Sequence, residues 1–398
     1  MSVFDIVIGQ EHAVAELKFA SEQTHKGDAL AAAAMTHAWL VTGPPGSGRS
    51  TLALAFAQSL VCSAGGCGTC ADCRNVLAGT HSDVEHIVPE GMNYAIDDAI
   101  ALIERSALSP TRSPWHVFVI EDVDRFRIDA ASTLLKSLEE PPPGTVWILC
   151  APTAEDVFDT IRSRCRHVSL ISPTHEDVVG QLVSRYAVAP DLADWAARVS
   201  QGHIGRARAL ATNEDVRERR RAIVDVPFRL HSVAMCFDLA QRIVANATAD
   251  ADTLAAPLDA QDEADIRMAY GDGAQGKGLG AATRQLKSAL KDLEKRAKTR
   301  HRRLLNDQYD RILLDLTAVY RDVLIAQADS HVPFINEELR SQITELGEQD
   351  SQANTLRRVD AINEARDQLF ANVSAQLVFE SLLVTLFNSE LALLGAGK

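Results

Sequence analysis

The fold of this chain is decided at residues 43–50, which read GPPGSGRS. The apolar run before them, Trp39–Thr42, is typical of a buried strand, and the run that follows, Ser50–Val61, is typical of a helix. A Gly-rich loop between a strand and a helix is the setting of the phosphate-binding pattern G-x-x-x-x-G-K-[ST], because its N–H groups and the helix N-terminus face a phosphate. The stretch therefore predicts an α/β domain that contains a phosphate loop.

The candidate nucleotide contacts in this loop offer either backbone freedom or a polar side chain, and they are Gly43, Gly46, Gly48, Arg49, Ser50 and Thr51. Arg49 stands where the pattern has lysine, and a planar guanidinium is not a conservative replacement for a compact ammonium. Ser50 keeps the hydroxyl that binds Mg²⁺ in such loops. Three interpretations stay open: a loop that binds nucleotide, one that also hydrolyses it, and a structural relic.

An acidic pair closes the predicted strand Val117–Glu121. Glu121 and Asp122 stand where such a pair would hold Mg²⁺ and orient water, at the carboxyl edge of a parallel sheet. Their order is reversed from the usual Asp-Glu, so the side chain at the water position is shorter by about one methylene, which matters for chemistry. The alternative is an acidic turn that caps the strand.

Strands and helices alternate along the first part of the chain. The strands are predicted at Trp39–Thr42, Val84–Val88, Val117–Glu121, Val146–Cys150 and Val168–Ile171, and the helices at Ser50–Val61, Ile96–Ala107 and Ala130–Glu140. This alternation indicates a mostly parallel sheet flanked by helices. From Pro173 onward the periodicity is helical. We therefore predict an α/β domain over residues 1–171, a small helical domain over 172–215 and a helical domain over 216–398.

Residues 246–303 of the last domain differ from the rest in composition. Residues 246–280 are first acidic and Ala-rich and then Gly-rich, which predicts a flexible insertion. Ala281–Arg303 is basic with leucines at helical spacing, which predicts an amphipathic helix. This helix is either a solvated helix packed by its leucines or a contact for DNA or an acidic partner.

Composition limits the classes of function. The 398 residues carry a formal net charge of -14, so the chain does not coat nucleic acid through bulk electrostatics, and any DNA contact is local. No apolar run approaches the roughly 18 residues of a membrane span, and the N-terminus lacks the pattern of an export signal. The expected location is the cytoplasm, and no membrane partner is expected.

Four of the seven cysteines stand close together, at Cys62, Cys67, Cys70 and Cys73. Their spacing, C-x4-C-x2-C-x2-C, suits a tetrahedral zinc site with four thiolate ligands. Such a closed shell leaves no position for water, so the predicted metal is structural. Disulfides, which a reducing cytoplasm disfavours, and free thiols are the alternatives.

Four motifs, in their order along the chain, resemble the AAA+ clamp-loader family over residues 4–210. They are Val7-Ile8-Gly9-Gln10, the phosphate loop, LLKSLEEPP at residues 134–142 and SRC at residues 163–165. The resemblance implies an AAA+ P-loop domain of the RecA-like α/β class, a small helical lid domain and an all-helical C-terminal collar domain. Members of the family also carry a zinc module similar to the one predicted at residues 62–73.

The same resemblance implies roles for individual residues. Arg164 of the SRC motif would act as an arginine finger that crosses a subunit boundary to the γ-phosphate bound by a neighbour, where a guanidinium stabilises developing negative charge. Val7 and Ile8 would contact nucleotide, Thr153 would lie near the sensor-1 position and Arg206 near sensor 2. An ordinary surface arginine paired with a carboxylate is the alternative for Arg164, and structural roles are the alternatives for Thr153 and Arg206.

The resemblance finally implies partners. A stator-like subunit would contribute Arg164 to the active site of an adjacent ATPase, in a hetero-oligomeric ring with gamma/tau-type and delta-type subunits. It would help to load the sliding clamp on primed DNA, as part of the DNA polymerase III holoenzyme, a nucleotidyltransferase. A motor subunit of the gamma or tau type, and a helicase or chaperone that forms a ring of identical subunits, are the alternatives. Arg49 and the reversed Glu121-Asp122 pair favour the stator-like subunit, leaving ATP and Mg²⁺ binding at its own site open.

Overall fold

The computed structural model describes residues 2–26, 34–89, 93–269 and 279–388. The chain divides into two units, residues 1–213 and residues 214–398. No helix in the described part of the chain is both long enough and apolar enough to cross a membrane.

A five-stranded parallel sheet forms the centre of the first unit, in the order β2-β3-β4-β1-β5. Its strands are β1 (Ala38–Thr42), β2 (Val84–Ile87), β3 (His116–Ile120), β4 (Thr145–Ala151) and β5 (Arg166–Ser169). Every residue of β1, β3 and β4 is buried, as expected for parallel strands covered on both faces. The predicted α/β fold class and all five strands are confirmed.

One strand is displaced from its predicted position. The prediction placed it at Val168–Ile171, whereas β5 ends at Ser169. The backbone N–H of Ile171 donates to Gln10 Oε1 over 3.1 Å, and Gln10 Nε2 donates to the Ile171 carbonyl over 2.7 Å. A side chain from the N-terminal segment thus takes the bonds that a further strand residue would have made.

Helices cover both faces of the sheet. The first unit contains α1 (Glu11–Lys26), α2 (Arg49–Val61), α3 (Ala71–Leu77), α4 (Ile96–Ser106), α5 (Ile128–Glu139), α6 (Asp159–Arg162), α7 (His175–Tyr186), α8 (Pro190–Ser200) and α9 (Ile204–Thr212). Side chains alternate along a strand, so Trp39 packs with α2 residues on one face while Leu40 packs with α4 and α5 residues on the other. The three predicted helices of this region are confirmed as α2, α4 and α5.

Helices α7 to α9 form the small helical part of the first unit. Thr174 caps α7, because its Oγ1 accepts from the Asp177 N–H at 3.2 Å. His203 caps α9 in the same way, because its Nδ1 accepts from the Arg206 N–H at 3.2 Å. These caps fix where α7 and α9 begin.

The described part of the second unit is built from helices. They are α10 (Glu214–Val224), α11 (Val226–Arg229), α12 (Val233–Ala269), α13 (Leu279–Gln327), α14 (Arg340–Gln349), α15 (Gln352–Phe370) and α16 (Ala375–Phe387). Their shared core includes Tyr309, Leu313 and Phe379, all nearly or completely buried. The predicted helical character of the C-terminal region is confirmed.

The prediction of a flexible insertion is wrong for residues 246–269, which are helical and belong to α12. Alanine is the strongest helix former, so an Ala-rich run favours a helix even where it is acidic. The helix is also paired, since Arg300 Nη2 on α13 lies 2.7 Å from carboxylate oxygens of both Asp259 and Asp262. The Gly-rich residues 270–278 lie outside the described residues. The predicted basic helix is confirmed as part of α13.

Candidate functional site

The phosphate loop joins β1 to α2 at the carboxyl edge of the sheet, with Thr51 in the first turn of α2. Gly46 and Gly48 have φ angles of 85° and 95°, which favour glycine. A Cβ atom on Gly46 would lie 2.4 Å from His203 Cγ, and the Gly46 carbonyl accepts from the Ile204 N–H at 3.4 Å. Helix α9, with Arg206 in its first turn, therefore begins directly against the loop. The sequence motifs assign no role to His203, and its contact with Gly46 is what identifies it as a residue of the candidate site.

Three buried polar atoms around the loop have no hydrogen-bond partner in the described part of the chain: Ser47 Oγ, Arg49 Nη1 and Asp124 Oδ1. Ser47 is 1% exposed. Buried polar atoms are normally paired, so orphaned atoms around one loop fit a site that binds a polar ligand. The donor set of Ser47 and Arg49 suits phosphate oxygens, and the carboxylate of Asp124 suits a cation.

The acidic pair is split between two environments. Ser50 Oγ donates to Glu121 Oε2 over 2.6 Å, and His86 Nε2 lies 2.9 Å from Glu121 Oε1. Burial opposes ionisation of Glu121, but these bonds outweigh it and hold the pKa of Glu121 below its usual value. Asp122 has a φ of 50° and pairs instead with Arg125 at 3.6 Å. Glu121 is thus the member of the pair that accepts the hydrogen bond from the loop hydroxyl of Ser50.

His86 is a site residue that the sequence reasoning missed. It lies on β2, level with Val119 of β3 in the parallel register. A histidine near the end of a predicted strand was the available signal, but its partner depends on which strands are neighbours. The order of strands cannot be read from spacing along the chain.

The N-terminal segment bridges the loop and the start of the helical part. Val7 packs against the core, and Gln10 Nε2 lies 3.4 Å from the Ser47 carbonyl as well as bonding to Ile171. Gln10 is buried, and its side chain connects the phosphate loop to the segment that carries Val7 and Ile8. From the sequence, Gln10 was recognised only as part of the Val7-Ile8-Gly9-Gln10 motif, without a structural role.

Thr153 lies beside the loop but bonds elsewhere. The carbonyl of Pro152, one residue earlier, accepts from the Gly43 N–H at 3.1 Å. The Thr153 hydroxyl donates to Asp156 Oδ2 over 2.8 Å and accepts from the Asp156 N–H at 3.3 Å. Its hydroxyl is therefore engaged within its own turn, and nothing in the described contacts brings it to the phosphate loop.

The four cysteines converge, with all four Sγ atoms within 4.8 Å of one another. Cys62 Sγ lies 3.8 Å from Cys67 Sγ and 3.7 Å from Cys70 Sγ. Four sulfurs placed tetrahedrally about 2.3 Å from a zinc ion are about 3.8 Å apart, so this spacing fits such an ion. Bonds from the backbone N–H and hydroxyl of Thr69 lower the pKa of the Cys67 thiol to about 6, whereas burial raises the pKa of Cys73.

The cysteine module packs on the segment that leads to Val7. The Val3 N–H donates to the Gly66 carbonyl over 2.9 Å, and a Cβ atom on Gly66 would lie 2.6 Å from Val3 Cγ2. Val3 begins the 3₁₀ helix Val3–Ile6. A tight turn between Cys62 and Cys67 therefore supports the N-terminal segment.

Arg164 follows the short helix α6 and lies at the surface. Its Nε donates to Glu139 Oε1 over 2.6 Å and its Nη1 donates to the Thr160 carbonyl over 2.7 Å. The neighbouring Cys165 packs against the core, and burial raises the pKa of its thiol to about 12. The ion pair is the one that the alternative interpretation of Arg164 expected. Glu139 belongs to the LLKSLEEPP motif, which by itself predicts no role for it.

Most of these candidate site residues lie within the part of the chain that matches a known protein family. Residues 23–174 match the family described as DNA polymerase III, delta subunit. This range contains the phosphate loop, the cysteine module, the acidic pair, Thr153 and Arg164, whereas Val7, Ile8 and Arg206 lie outside it.

Individual relatives are subunits of DNA polymerase III. Subunit delta' of Bacillus subtilis (strain 168) is 28% identical over 200 residues, which cover 50% of this chain and 60% of the relative. Subunit delta' of Escherichia coli (strain K12) is 33% identical over 46% of this chain and 57% of its own length. Subunit tau of Bacillus subtilis (strain 168) is 30% identical over 45% of this chain and 31% of its own length. The chain thus spans between 31% and 60% of these relatives.

A solved structure also aligns with the chain. The gamma subunit-related protein of DNA polymerase III from Thermotoga maritima covers 92% of this chain and 98% of its own chain, with 14% identity and a TM-score of 0.44.

Proposed function

We propose that this chain is a member of the clamp-loader family of DNA polymerase III subunits and, within it, a delta-prime-type subunit. It supplies Arg164 to nucleotide bound by a neighbouring gamma/tau-type subunit, within a hetero-oligomer that also contains a delta-type subunit. The complex places the sliding clamp on primed DNA.

The observation that carries the proposal is the contrast between Arg164 and the chain's own acidic pair. Arg164 ends in a rigid fork at the surface, where a guanidinium can reach a phosphate of another chain. At the home site, Arg49 replaces the motif lysine and the acidic pair is reversed, so the shorter carboxylate, Asp122, stands at the water position and lies 3.6 Å from Arg125. An arginine finger on a subunit whose own phosphate loop and acidic pair depart from the motif is best explained by action on nucleotide that a neighbouring subunit binds.

A motor subunit of the gamma or tau type is the second candidate. The orphaned atoms of Ser47, Arg49 and Asp124 favour a loop that still binds a ligand. Glu121 beside Ser50 also keeps the arrangement in which a carboxylate and a hydroxyl hold Mg²⁺. ATP hydrolysis by this chain alone would support this candidate.

The four thiolates hold a structural zinc ion in the proposed protein. Their mutual distances fit tetrahedral coordination, and backbone N–H groups of Gly68, Cys70 and Cys73 lie 3.3–3.4 Å from cysteine sulfurs. Such bonds orient the ligands, and the metal links a Gly-rich turn that has little core of its own.

The test is a clamp loader reconstituted from this chain with gamma/tau-type and delta-type subunits. Arg164→Ala should lower DNA-dependent ATP turnover at least tenfold without changing assembly, because the transition-state charge loses its stabilising guanidinium. Arg162→Ala is the matched control, since Arg162 lies two residues before Arg164, at the end of α6, but bonds back to Asp159 and the Ala154 carbonyl. Equal turnover in the two variants would remove the finger assignment, and robust ATPase by this chain alone would favour the motor subunit.

A further inference from the structure

We propose that Glu139 is a positioning residue for the Arg164 finger. The inference rests on the proposed function, in which Arg164 acts on a neighbour's nucleotide. Glu139, at the end of α5, forms an ion pair with Arg164, which follows α6, and the proposal assigns a function to this pair.

The two residues are held by separate but adjoining parts of the same core. Glu139 is the last residue of α5, and the preceding Leu138 is fully buried. Ile161 of α6 is fully buried in the same cluster as Leu138, and it lies three residues before Arg164. The main chain on either side of the ion pair is therefore anchored, so the carboxylate meets the guanidinium at a fixed place.

The way α5 ends adds to this anchoring. The Glu140 N–H donates to the Lys136 carbonyl over 3.0 Å, and residues 141–143 are prolines, which cannot continue the helix. Glu139 thus occupies the final helical position, and its neighbour Glu140 already has non-helical angles. The two adjacent carboxylates differ in direction, and in the described contacts Arg164 pairs with Glu139.

The contacts of Arg164 leave part of the fork for an anion. Nε and Nη2 both bond to Glu139 Oε1, and Nη1 bonds to the Thr160 carbonyl at 2.7 Å and lies 3.2 Å from Ser163 Oγ. A guanidinium carries five N–H groups, so these four contacts leave at least one N–H unused. The Ser163 contact is the longest of the four, and it is the one that an incoming phosphate oxygen replaces.

The ion pair has more effect on function than on folding. The side chains of Arg164 and Glu139 are 34% and 46% exposed, and ion pairs with such exposure contribute little to stability. A free arginine, however, loses much rotamer entropy when it is fixed in one geometry. Glu139 and the Thr160 carbonyl fix the orientation of the Arg164 guanidinium before the neighbouring subunit binds. Less conformational entropy is therefore lost when the guanidinium meets the transition state.

The experiment measures DNA-dependent ATPase of the reconstituted loader over a range of ATP concentrations. Glu139→Ala should lower kcat by about tenfold and leave KM within about twofold, because positioning acts on the transition state. Glu139→Gln keeps an acceptor oxygen and should recover most of the loss. Glu140→Ala, the control at the adjacent carboxylate, should behave as wild type.

A double substitution separates positioning from independent effects. Glu139→Ala combined with Arg164→Ala should turn over ATP no more slowly than Arg164→Ala alone, since Glu139 acts only through the finger. Unchanged kcat in Glu139→Ala, with Arg164→Ala impaired, would make the ion pair incidental. A raised kcat would mean that Glu139 restrains the finger. Loss of assembly in both Glu139→Ala and Glu139→Gln would assign it a structural role. Each of these three results overturns the proposal, whereas an active Arg164→Ala loader overturns the proposed function itself.

Discussion

Replacing Gly46 by alanine tests the contact between the phosphate loop and α9. The new Cβ atom would lie 2.4 Å from His203 Cγ and 2.5 Å from His203 Cα, closer than real atoms approach. At Gly48 the φ angle is similar, yet a Cβ atom would meet nothing within 4 Å. Gly48→Ala is therefore a matched control that carries the backbone cost without the steric contact.

The expected magnitudes follow from this difference. A left-handed backbone costs a residue with a side chain roughly 1–2 kcal/mol, which applies to both variants. Overpacking adds about 1–3 kcal/mol to Gly46→Ala alone. All four tryptophans lie within residues 1–213, so tryptophan fluorescence follows the unfolding of the first unit specifically. For a unit of this size, each kcal/mol lowers the midpoint temperature by about 2–4 °C.

Gly46→Ala should therefore unfold at a lower temperature than Gly48→Ala, and amide exchange in α9 should accelerate in Gly46→Ala alone. Adding His203→Ala should not restore stability, because the His203 Cα atom also obstructs the new methyl group. Equal midpoints together with equal exchange rates in α9 would refute the reasoning, since His203 would then not lie against the loop in solution.

Two further predictions concern stability and metal. Asp83 is buried, which by itself raises its pKa, but bonds from the Thr111 N–H and hydroxyl and from the N–H groups of Arg112 and Ser113 hold the pKa well below its usual value. Its contribution is therefore fully present above the unfolded-state pKa of about 3.9 and is lost only as pH falls from there towards the folded-state pKa. Asp83→Asn should lower the midpoint most at pH 7, less at pH 3 and least at pH 2, and a constant difference would contradict this. The wild-type chain should bind one zinc ion, which Cys70→Ser should lose and Cys165→Ser should keep, as metal analysis of the purified proteins would show. Full retention in Cys70→Ser would exclude the proposed ligand set.

Local patterns were sufficient for most of the fold. Apolar runs located β1, β3 and β4 accurately, because parallel strands that are covered on both faces are apolar along their whole length. The edge strands β2 and β5 are partly exposed, and β5 lies two residues before its predicted position. Residues 246–269 were misjudged because acidity was given more weight than the helix propensity of alanine. The carboxylates of Asp259 and Asp262 found their partner in Arg300, about forty residues further along the chain.

The candidate site divides in the same way. Arg49, Ser50 and Glu121 were located from motif spacing, because each follows a strand that ends at a common edge. His86, Gln10 and Glu139 were assigned no role, since each acts through a partner that is distant in sequence. Neither residue type nor spacing identifies which distant segments become neighbours.

The sequence by itself determined the α/β class, the position of the phosphate loop and the cysteine spacing, because these depend on residues that are close along the chain. Only the folded structure shows that Ser50 bonds to Glu121, that His203 lies against Gly46 and that Arg164 meets Glu139. Those arrangements depend on strand order and on how helices end, which bring together side chains from separate elements. The charged and polar groups around the phosphate loop, such as Glu121 and His86, are thus brought together only when the chain has folded.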